Sequence, residues 1–387
     1  MGSRVMALLL LLCVSSAWPA QAADEAGENG AKTTLTSGKR YINLGQKWGS
    51  RSPLMHTKAN LTELTSIKSS FELRTLDPEG VVFYGDTQGG ADWFVLGLRG
   101  GVPEMQIGKG NTLISVAGGP KLNDGTWHQV ELRSEGIYVI LQVDGIDVLV
   151  VGLHSKCDNC NLEGQIRLSL GGILVKELEL LNPLQTEMDG CVREGNWLNL
   201  STPWETDEEL QPCFTEIQKG SYFPGTGLVL FNSSDFTTQQ TEESELEVKI
   251  EGHSSAWKGT VLSLKTPQGD SILNMTAQEQ TKELTVIFGT QTSTLKLGPQ
   301  SLALNLSQNE IKVEFGPQQL VMLDEVTQSW PTMWNEGLIL AFGGVPDESD
   351  PIYLKGCLSL IQINGQDVDL DRALYKHNTI SSHGCPA

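Results

Sequence analysis

The sequence predicts an all-β protein built from two tandem β-sandwich domains of the jelly-roll type. Short β-branched and aromatic runs, separated by Gly, Asp and Asn turns, recur about every ten residues from Ser69 onward. Almost no stretch has the apolar periodicity of a helix. Two long blocks of the chain also repeat the same order of motifs. These three observations favour sandwiches over a helical or mixed fold.

The chain begins with the pattern of a secretory signal peptide, which we place at residues 1–23. Arg4 precedes the apolar residues 5–14, and a cluster of small residues follows as a cleavage site. No later stretch has the length of apolar sequence that a membrane helix needs. We therefore expect a secreted, extracellular protein without a membrane span. Residues 24–60 are polar and Gly-rich and are expected to form a flexible arm.

The first sandwich is assigned to residues 61–217. Its candidate strands are FELRTL, VVFYG, DWFVLGL, EMQIG, TLISVAG, WHQVELR, YVILQVDG, DVLVVGL and QIRLSLGG. Within YVILQVDG, Val139, Leu141 and Val143 share one face while Tyr138 and Gln142 share the other. This alternation is typical of a strand with one buried face.

The second sandwich is assigned to residues 218–387 on the basis of an internal repeat. IRLSLGG at residues 166–172 is echoed by LILAFGG at 338–344, and DGCV at 189–192 is echoed by KGCL at 355–358. Each Gly-Cys is followed by another cysteine 22 or 28 residues later. The repeat predicts the same architecture twice, with the boundary in the turn-rich stretch after Cys213.

Cysteine and sequon usage fits secretion. Cleavage of the signal peptide removes Cys13 and leaves an even number of cysteines in an oxidising compartment. The spacing indicates local disulfides, namely Cys191–Cys213, Cys357–Cys385 and the vicinal pair Cys157–Cys160. For the vicinal pair, an intermolecular bridge and a metal cluster with the preceding His154 stay open as alternatives. Five N-x-[ST] sequons predict glycosylation, at Asn60, Asn199, Asn232, Asn274 and Asn305.

Composition and motifs exclude two functional classes. The chain has 27 Lys and Arg against 47 Asp and Glu, a net charge of −20, which argues against nucleic-acid binding. The sequence lacks the G-x-S-x-G, H-E-x-x-H and Walker A motifs. His128 is interpreted as a hydrogen-bonded structural histidine. We therefore expect a binding protein, not an enzyme, with no catalytic cofactor.

The ordered motifs SFELRT, DPEGVVFYG, DWFVLGLRGG, LNDGTWHQVEL, LSLGG and DGC resemble a laminin G-like domain, and the second block resembles a more divergent copy. A tandem pair behind a signal peptide and a short arm is similar to the steroid-carrying members of this family. The resemblance implies a plasma carrier of sex steroids (the testosterone, dihydrotestosterone and oestradiol class). Such a carrier binds androgens and oestrogens in a slot between the sheets of the first domain and regulates their free concentration. The alternative is an interaction or matrix module that binds a receptor or a glycan.

The resemblance also implies which residues hold the steroid. Ser69 matches the serine that bonds the ring-A oxygen, Asp92 matches the carboxylate at the opposite end, and Phe94 matches an aromatic wall. The apolar or small lining positions implied in the same way are Gly85, Thr87, Leu132, Ile166, Leu168 and Leu198.

Two positions depart from the family pattern. Lys109 stands where the family has an Asn partner to the carboxylate, and Ser134 stands where it has a Met. Lysine only donates hydrogen bonds, whereas asparagine donates and accepts. We therefore hypothesise steroid binding with an altered preference among androgens and oestrogens. The second domain has no matching Ser, Asp and Phe set and is assigned no steroid site.

The resemblance further implies a calcium site and a homodimer. Asp77 and Glu79 match the family's calcium carboxylates, to be completed by the backbone carbonyl near Glu187, and hard oxygen ligands suit Ca²⁺. The alternative is an acidic turn without metal. The homodimer would form through edge strands of the first domain, near Val116 and Leu149.

Overall fold

The computed structural model of the chain describes residues 41–45, 53–64, 68–87, 89–135, 138–152, 164–176, 179–200, 202–206, 210–236, 246–298, 301–307, 310–323 and 330–387. It divides into two compact units, Met1–Cys213 and Phe214–Ala387. The division falls slightly before the boundary expected from the sequence. No helix in the described ranges has the length and apolar character needed to cross a bilayer.

The first unit is a sandwich of two sheets. Its strands are β1 (Ile42–Asn43), β2 (Met55–Asn60), β3 (Lys68–Thr75), β4 (Gly80–Thr87), β5 (Asp92–Arg99), β6 (Val102–Lys109), β7 (Thr112–Ala117), β8 (His128–Glu135), β9 (Tyr138–Val143), β10 (Ile146–Gly152), β11 (Gln165–Leu170) and β12 (Gly190–Trp197). One sheet has the order β1-β12-β3-β8-β9-β10, and the other has the order β2-β11-β4-β5-β6-β7. A 3-10 turn spans Leu61–Glu63.

The core of the first unit lies between these sheets because apolar residues alternate along each strand. Phe71 on β3 meets Phe83 on β4 across the sandwich, with ring centroids 6.4 Å apart. Leu132 and Leu141 continue the core on the first sheet, and Met105 continues it on the second. The same alternation places every second residue of β5 and β6 on this inner face, and of β4 from Phe83 to Thr87.

The segment expected to be a flexible arm contributes to both sheets. Strand β1 pairs with β12, and β2 pairs with β11 over six residue pairs, from Met55 to Asn60. Alternate residues of β2 are buried, including Met55 and Ala59. The sequence does not predict these strands, because β2 carries polar residues at its outward positions and has few apolar residues to show a pattern. Residues 1–40 lie outside the described residues.

The second unit repeats the sandwich. Its strands are β13 (Ile217–Lys219), β14 (Ser221–Pro224), β15 (Val229–Asn232), β16 (Leu246–Gly252), β17 (Gly259–Lys265), β18 (Ser271–Gln278), β19 (Glu283–Phe288), β20 (Gln291–Lys296), β21 (Leu302–Ser307), β22 (Glu310–Phe315), β23 (Gln318–Leu323), β24 (Ile339–Phe342), β25 (Lys355–Ile363), β26 (Gln366–Asp367), β27 (Tyr375–Lys376) and β28 (Gly384–Pro386). Helix α1 spans Trp330–Gly337, and 3-10 turns span Ser233–Asp235, Ser254–Ala256 and Leu370–Arg372.

Sheet order explains the sequence repeat. In the second unit the sheets run β14-β25-β16-β21-β22-β23 and β20-β19-β18-β17-β24-β15-β27, while β13 pairs with β28. Read from β15 to β20, the second of these matches the order β2 to β7 of the first unit. The echoed motifs IRLSLGG and LILAFGG therefore occupy equivalent strands, β11 and β24. The disulfides Cys191–Cys213 and Cys357–Cys385 are both present, with Cα atoms 6.1 and 5.9 Å apart.

A buried ion pair lies in the C-terminal part of the second unit. Lys376 Nζ lies 2.7 Å from Asp371 Oδ1, and both side chains are almost fully buried. His383 Nε2 lies 3.0 Å from the other carboxylate oxygen. Burial disfavours the carboxylate, but the charges of Lys376 and His383 outweigh it and hold the Asp371 pKa below its usual value.

Candidate functional site

Cross-strand register gathers most of the expected ligand residues on the inner face of the second sheet. Thr87 on β4 pairs with Asp92 on β5, and Asp92 pairs with Lys109 on β6. On the other side, Ile166 on β11 pairs with Thr87. Because directly paired residues point to the same face of a sheet, these four side chains form one row. We call Thr87, Asp92 and Lys109 the polar row.

The next row into the sandwich is apolar and is built around a glycine. Gly85 pairs with Leu168 and with Phe94. A Cβ atom on Gly85 would lie 2.4 Å from Phe94 Cε1 and 2.9 Å from Leu168 Cδ2. The ring of Phe94 therefore lies directly over Gly85, and no side chain fits beneath it. Phe83 packs against the same ring, with centroids 5.2 Å apart.

Ser69 lies on the facing sheet. It is fully buried on β3 and pairs with Leu132 on β8 and with Trp197 on β12. The backbone N–H of Leu198 donates to Ser69 Oγ over 3.2 Å. The Ser69 hydroxyl proton has no acceptor within the described contacts, so this group can still donate to a ligand oxygen.

Four buried polar atoms on the inner faces have no hydrogen-bond partner among the described residues: Thr87 Oγ1, Asp92 Oδ2, Lys109 Nζ and Ser134 Oγ. Asp92 Oδ1 accepts from the Gly110 N–H over 3.1 Å, so only one of its oxygens is satisfied. An unsatisfied buried polar group costs about 1–3 kcal/mol. In the described part of the second unit, every buried side-chain nitrogen and oxygen has a partner. The polar row is therefore a local feature of the first sandwich.

The electrostatics of the polar row follow from burial. Removal of Lys109 from water lowers its pKa, and the negative charge of neighbouring Asp92 offsets part of this effect. The two residues pair directly between β5 and β6, yet neither Lys109 Nζ nor Asp92 Oδ2 has a partner. The two side chains therefore make no salt bridge. Lys109 and Asp92 thus present a buried donor and a buried acceptor that remain apart, beside the unpartnered Thr87 hydroxyl.

A small apolar cavity lies deeper in the same core. Phe71, Leu96 and Leu141 contribute to its walls, and its volume is about 10 Å³. A cavity of this size holds about one water molecule.

Sequence reasoning missed two aromatic residues beside Ser69. The Trp197 ring lies 4.9 Å from both Phe71 and Phe83, and the Trp204 ring lies 5.8 Å from Trp197. Both tryptophans are buried. The available signal was the occurrence of both tryptophans between Cys191 and Cys213, on either side of the expected lining residue Leu198.

The acidic loop expected to bind calcium already has protein partners. Asp77 Oδ1 accepts from the Glu79 N–H over 3.0 Å, and Asp77 Oδ2 accepts from the Asp189 N–H over 2.8 Å. Glu79 lies 3.5 Å from Arg99, a cation that competes with a metal. The Glu187 carbonyl lies close to Gly80, where a Cβ would approach it to 2.5 Å. Each of these Asp77 oxygens keeps a second lone pair, so the contacts hold the loop together and the calcium site stays a prediction.

The two residues expected near a dimer interface lie on edge strands of the first unit. Val116 lies half-buried on the edge strand β7, and Leu149 lies buried on the edge strand β10.

His128 is bonded to Asp144 over 2.8 Å and to Asp124 over 3.1 Å, as expected of a structural histidine. The sequon asparagines 60 and 199 are exposed, whereas 232, 274 and 305 are half-buried. Cys157 and Cys160 lie outside the described residues.

Comparison with known proteins places the chain in a family. The Laminin G domain family matches residues 73–201. The sex hormone-binding globulin of Crocuta crocuta is 32% identical over 333 residues, which cover 84% of this chain and 84% of that protein. The Homo sapiens protein of the same name is 32% identical over 342 residues, covering 86% and 84%.

A solved structure confirms the fold independently. Domains LG4-5 of the mouse laminin alpha1 chain superpose with a TM-score of 0.61 at 16% identity, covering 96% of this chain and 100% of that one. This likeness confirms the all-β laminin G-like architecture expected from the sequence. With the identity and coverage of its relatives, the chain belongs to the sex hormone-binding globulin family of tandem laminin G-like proteins.

Proposed function

We propose that this protein is a secreted carrier that binds a sex steroid between the sheets of its first unit and regulates the steroid's free concentration. The relatives named sex hormone-binding globulin support the ligand class. Family membership also confirms the expectation of a binding protein that is not an enzyme.

The observation that carries the proposal is the set of unpartnered polar atoms inside an otherwise apolar sandwich. A steroid is a rigid apolar body with a polar atom near each end, so it suits an apolar slot with a few placed polar groups. Thr87, Asp92 and Lys109 supply such groups on one sheet, and Ser69 supplies a free donor on the other. Phe94 and Leu168 supply apolar walls between them.

Binding energy would come from burial of the steroid's apolar surface, at about 25 cal/mol per Å². Specificity would come from the polar atoms, because a ligand that leaves them unsatisfied forfeits their hydrogen bonds inside a low-dielectric core.

The test is equilibrium binding of radiolabelled dihydrotestosterone and oestradiol to the secreted full-length protein. We expect saturable binding that Ser69→Ala and Asp92→Ala each weaken about tenfold or more, because each removes a buried hydrogen bond. Ser263→Ala is the matched control, since Ser263 is a buried serine of the second unit that donates to the Gly344 carbonyl. Its variant should bind like the wild type.

A folded, disulfide-intact protein without saturable steroid binding would refute the carrier and leave a laminin G-like interaction module. Equal affinities in Ser69→Ala, Asp92→Ala and the wild type would retain a steroid carrier but refute this location of the site.

Assembly forms a second part of the proposal: two copies pair through the edge strands β7 and β10 of the first unit. An edge strand exposes unpaired backbone groups that a second copy can bond. Leu113 on β7 and Val150 on β10 are large apolar side chains that remain 44% and 58% exposed. Sedimentation equilibrium should give twice the monomer mass, and Val150→Lys should shift the protein toward monomer. A monomer at all concentrations, with and without steroid, would refute the pairing.

Secretion also remains a proposal, which the two disulfides support. The secreted protein should begin after residue 23, as N-terminal sequencing can test.

A further inference from the structure

A short segment of the first unit, residues 202–206, connects its two sheets, and we call it the strap. It follows β12 of one sheet and forms a bridge to β2 of the other. Strand β1 pairs with β12 only at Cys191 and Val192, so in the described ranges the Trp197 end of β12 is an open edge. The strap therefore covers the side of the sandwich next to β3 and β11, two strands that carry expected lining residues.

The bonds described between the strap and β2 form one small cluster, which we call the latch. The Glu205 N–H donates to the His56 carbonyl over 2.8 Å, and the His56 N–H donates to the Glu205 carbonyl over 3.0 Å. The Thr57 hydroxyl donates to the Pro203 carbonyl over 3.0 Å. Strand β2 itself pairs with β11 over six residue pairs. Because the latch is so much shorter than this ladder, it can open while the sheet stays intact.

The backbone that leads into the strap is strained. Leu198 and Asn199 each have a φ of 54°, in the left-handed region that is unfavourable for residues with a Cβ atom. Such a conformation persists only where the surrounding contacts hold it. Leu198 is 2% exposed, and its N–H donates to Ser69 Oγ. Release of the strap would relax this strain directly beside an expected ligand residue.

We propose that the strap is the gate of the steroid slot. It detaches from β2 at the latch, turns about Leu198 and Asn199, and lets the steroid enter and leave on the Ser69 side. Trp204, whose ring lies 5.8 Å from that of Trp197, moves with the strap. The inference rests on the proposed steroid function and adds the route by which the ligand reaches its site.

A disulfide across the latch tests the gate. His56 and Glu205 exchange both backbone hydrogen bonds, a pairing in which the Cα atoms lie about 5.5 Å apart, within the span of a disulfide. Their side chains also meet, with His56 Nε2 3.5 Å from Glu205 Oε2. In the full-length variant with His56→Cys and Glu205→Cys, we expect association and dissociation of radiolabelled dihydrotestosterone each to slow by about tenfold or more, since the strap can no longer open. Mass spectrometry verifies the bridge.

The second unit offers matched controls. Lys258 and Lys355 also exchange both backbone hydrogen bonds across an isolated bridge, so Lys258→Cys with Lys355→Cys adds an equivalent disulfide away from the strap. It should leave both rates unchanged. Thr57→Val loosens the latch by removing one hydrogen bond, and dissociation should become about threefold faster or more. Thr260→Val is its control, since Thr260 is a buried threonine whose hydroxyl bonds to Thr276.

Hydrogen exchange of the steroid-free protein measures the opening itself. Strand β3 lies inside its sheet, between β12 and β8. The Glu205 amide should exchange about a hundredfold faster than the bonded amides of β3, because the strap opens without the sheet.

The outcomes separate the gate from the proposed function. Wild-type rates in the protein cross-linked at the latch would overturn the gate, because the steroid would then enter by another route. A Glu205 amide as protected as those of β3 would also overturn it, because the strap would then open only with the sheet. An absence of saturable steroid binding by the wild-type protein would instead refute the proposed function, and hydrogen exchange would still show whether the strap opens.

Discussion

The contact between Gly85 and the Phe94 ring yields a prediction that depends on geometry alone. In Gly85→Ala, the new Cβ would lie 2.4 Å from Phe94 Cε1 and 2.7 Å from Phe94 Cζ. Both distances are shorter than any real carbon contact, so the ring must move into a closely packed core. Overpacking of this kind costs about 1–3 kcal/mol. Alanine recovers about 0.5–1 kcal/mol of backbone entropy in a strand.

At the middle of both ranges the net loss for Gly85→Ala is about 1.25 kcal/mol, which lowers the Tm of a unit of this size by about 2.5–5 °C. Differential scanning calorimetry of the full chain measures this shift, and the first unit's transition alone should move. Gly298→Ala is the control, because its Cβ would meet nothing closer than Phe315 Cε1 at 3.7 Å. The control should not lower the Tm.

A second substitution identifies the clashing atoms. Phe94→Leu removes both Cε1 and Cζ, so Gly85→Ala in that background should cost at least about 1 kcal/mol less than in the wild type. An unchanged Tm in Gly85→Ala, or a loss that Phe94→Leu does not relieve, would refute the reasoning.

Four further predictions follow. Replacing Cys191 and Cys213 together by Ala should destabilise the first unit to urea by roughly 3 kcal/mol, since the bridge spans 22 residues. Asp371→Asn should destabilise the second unit by about 3–5 kcal/mol at neutral pH, because it leaves the buried Lys376 ammonium without its carboxylate. His128→Gln should remove a stabilisation that is present below about pH 6.5 and is lost as pH rises through the raised His pKa. Calcium and EDTA should give the same Tm, because the acidic loop has protein partners.

The signs of the two pH effects differ. For Asp371 the folded-state pKa is lowered, so its contribution is present above the usual carboxyl range and is lost as pH falls through the lowered pKa. For His128, burial disfavours the charged form, but hydrogen bonds to Asp144 and Asp124 outweigh it and raise the pKa. Urea titrations between pH 3 and 9 measure how the free energy of unfolding changes with pH. The lowered Asp371 pKa predicts a loss of stability towards acid, and the raised His128 pKa predicts a loss towards alkaline pH.

Each of these predictions has a contrary result. Wild-type urea resistance without the first disulfide would mean that other contacts already constrain the loop. An Asp371→Asn variant of full stability would show that the Ile380 carbonyl and the Ser382 hydroxyl, which also accept from Lys376, suffice for the buried ammonium. Identical pH profiles in His128→Gln and the wild type would refute the His128 account. A calcium-dependent rise in Tm of several degrees would restore the calcium site implied by the family resemblance.

The sequence determined the architecture. Alternation in strands such as Tyr138–Val143 shows which side chains are buried, and the echoed motifs at β11 and β24 require two similar sandwiches. The disulfides followed from spacing, because cysteines of one unit pair locally. The ordered motifs also carried the resemblance from which Ser69, Asp92 and Phe94 were expected to face a ligand. Local patterns suffice for these features because each depends on residues near in sequence or on a shared motif.

Only the tertiary structure decided the rest, because it depends on partners distant in sequence. Strand β2 became part of a sheet through pairing with β11, more than a hundred residues away. The Asp189 N–H became a donor to Asp77 only through folding, since the two residues lie far apart in the sequence. The register of β4, β5 and β6 aligned Thr87, Asp92 and Lys109. The burial of these three side chains and their lack of hydrogen-bond partners among the described residues leave polar atoms that a ligand can bond. No local sequence pattern predicts either property.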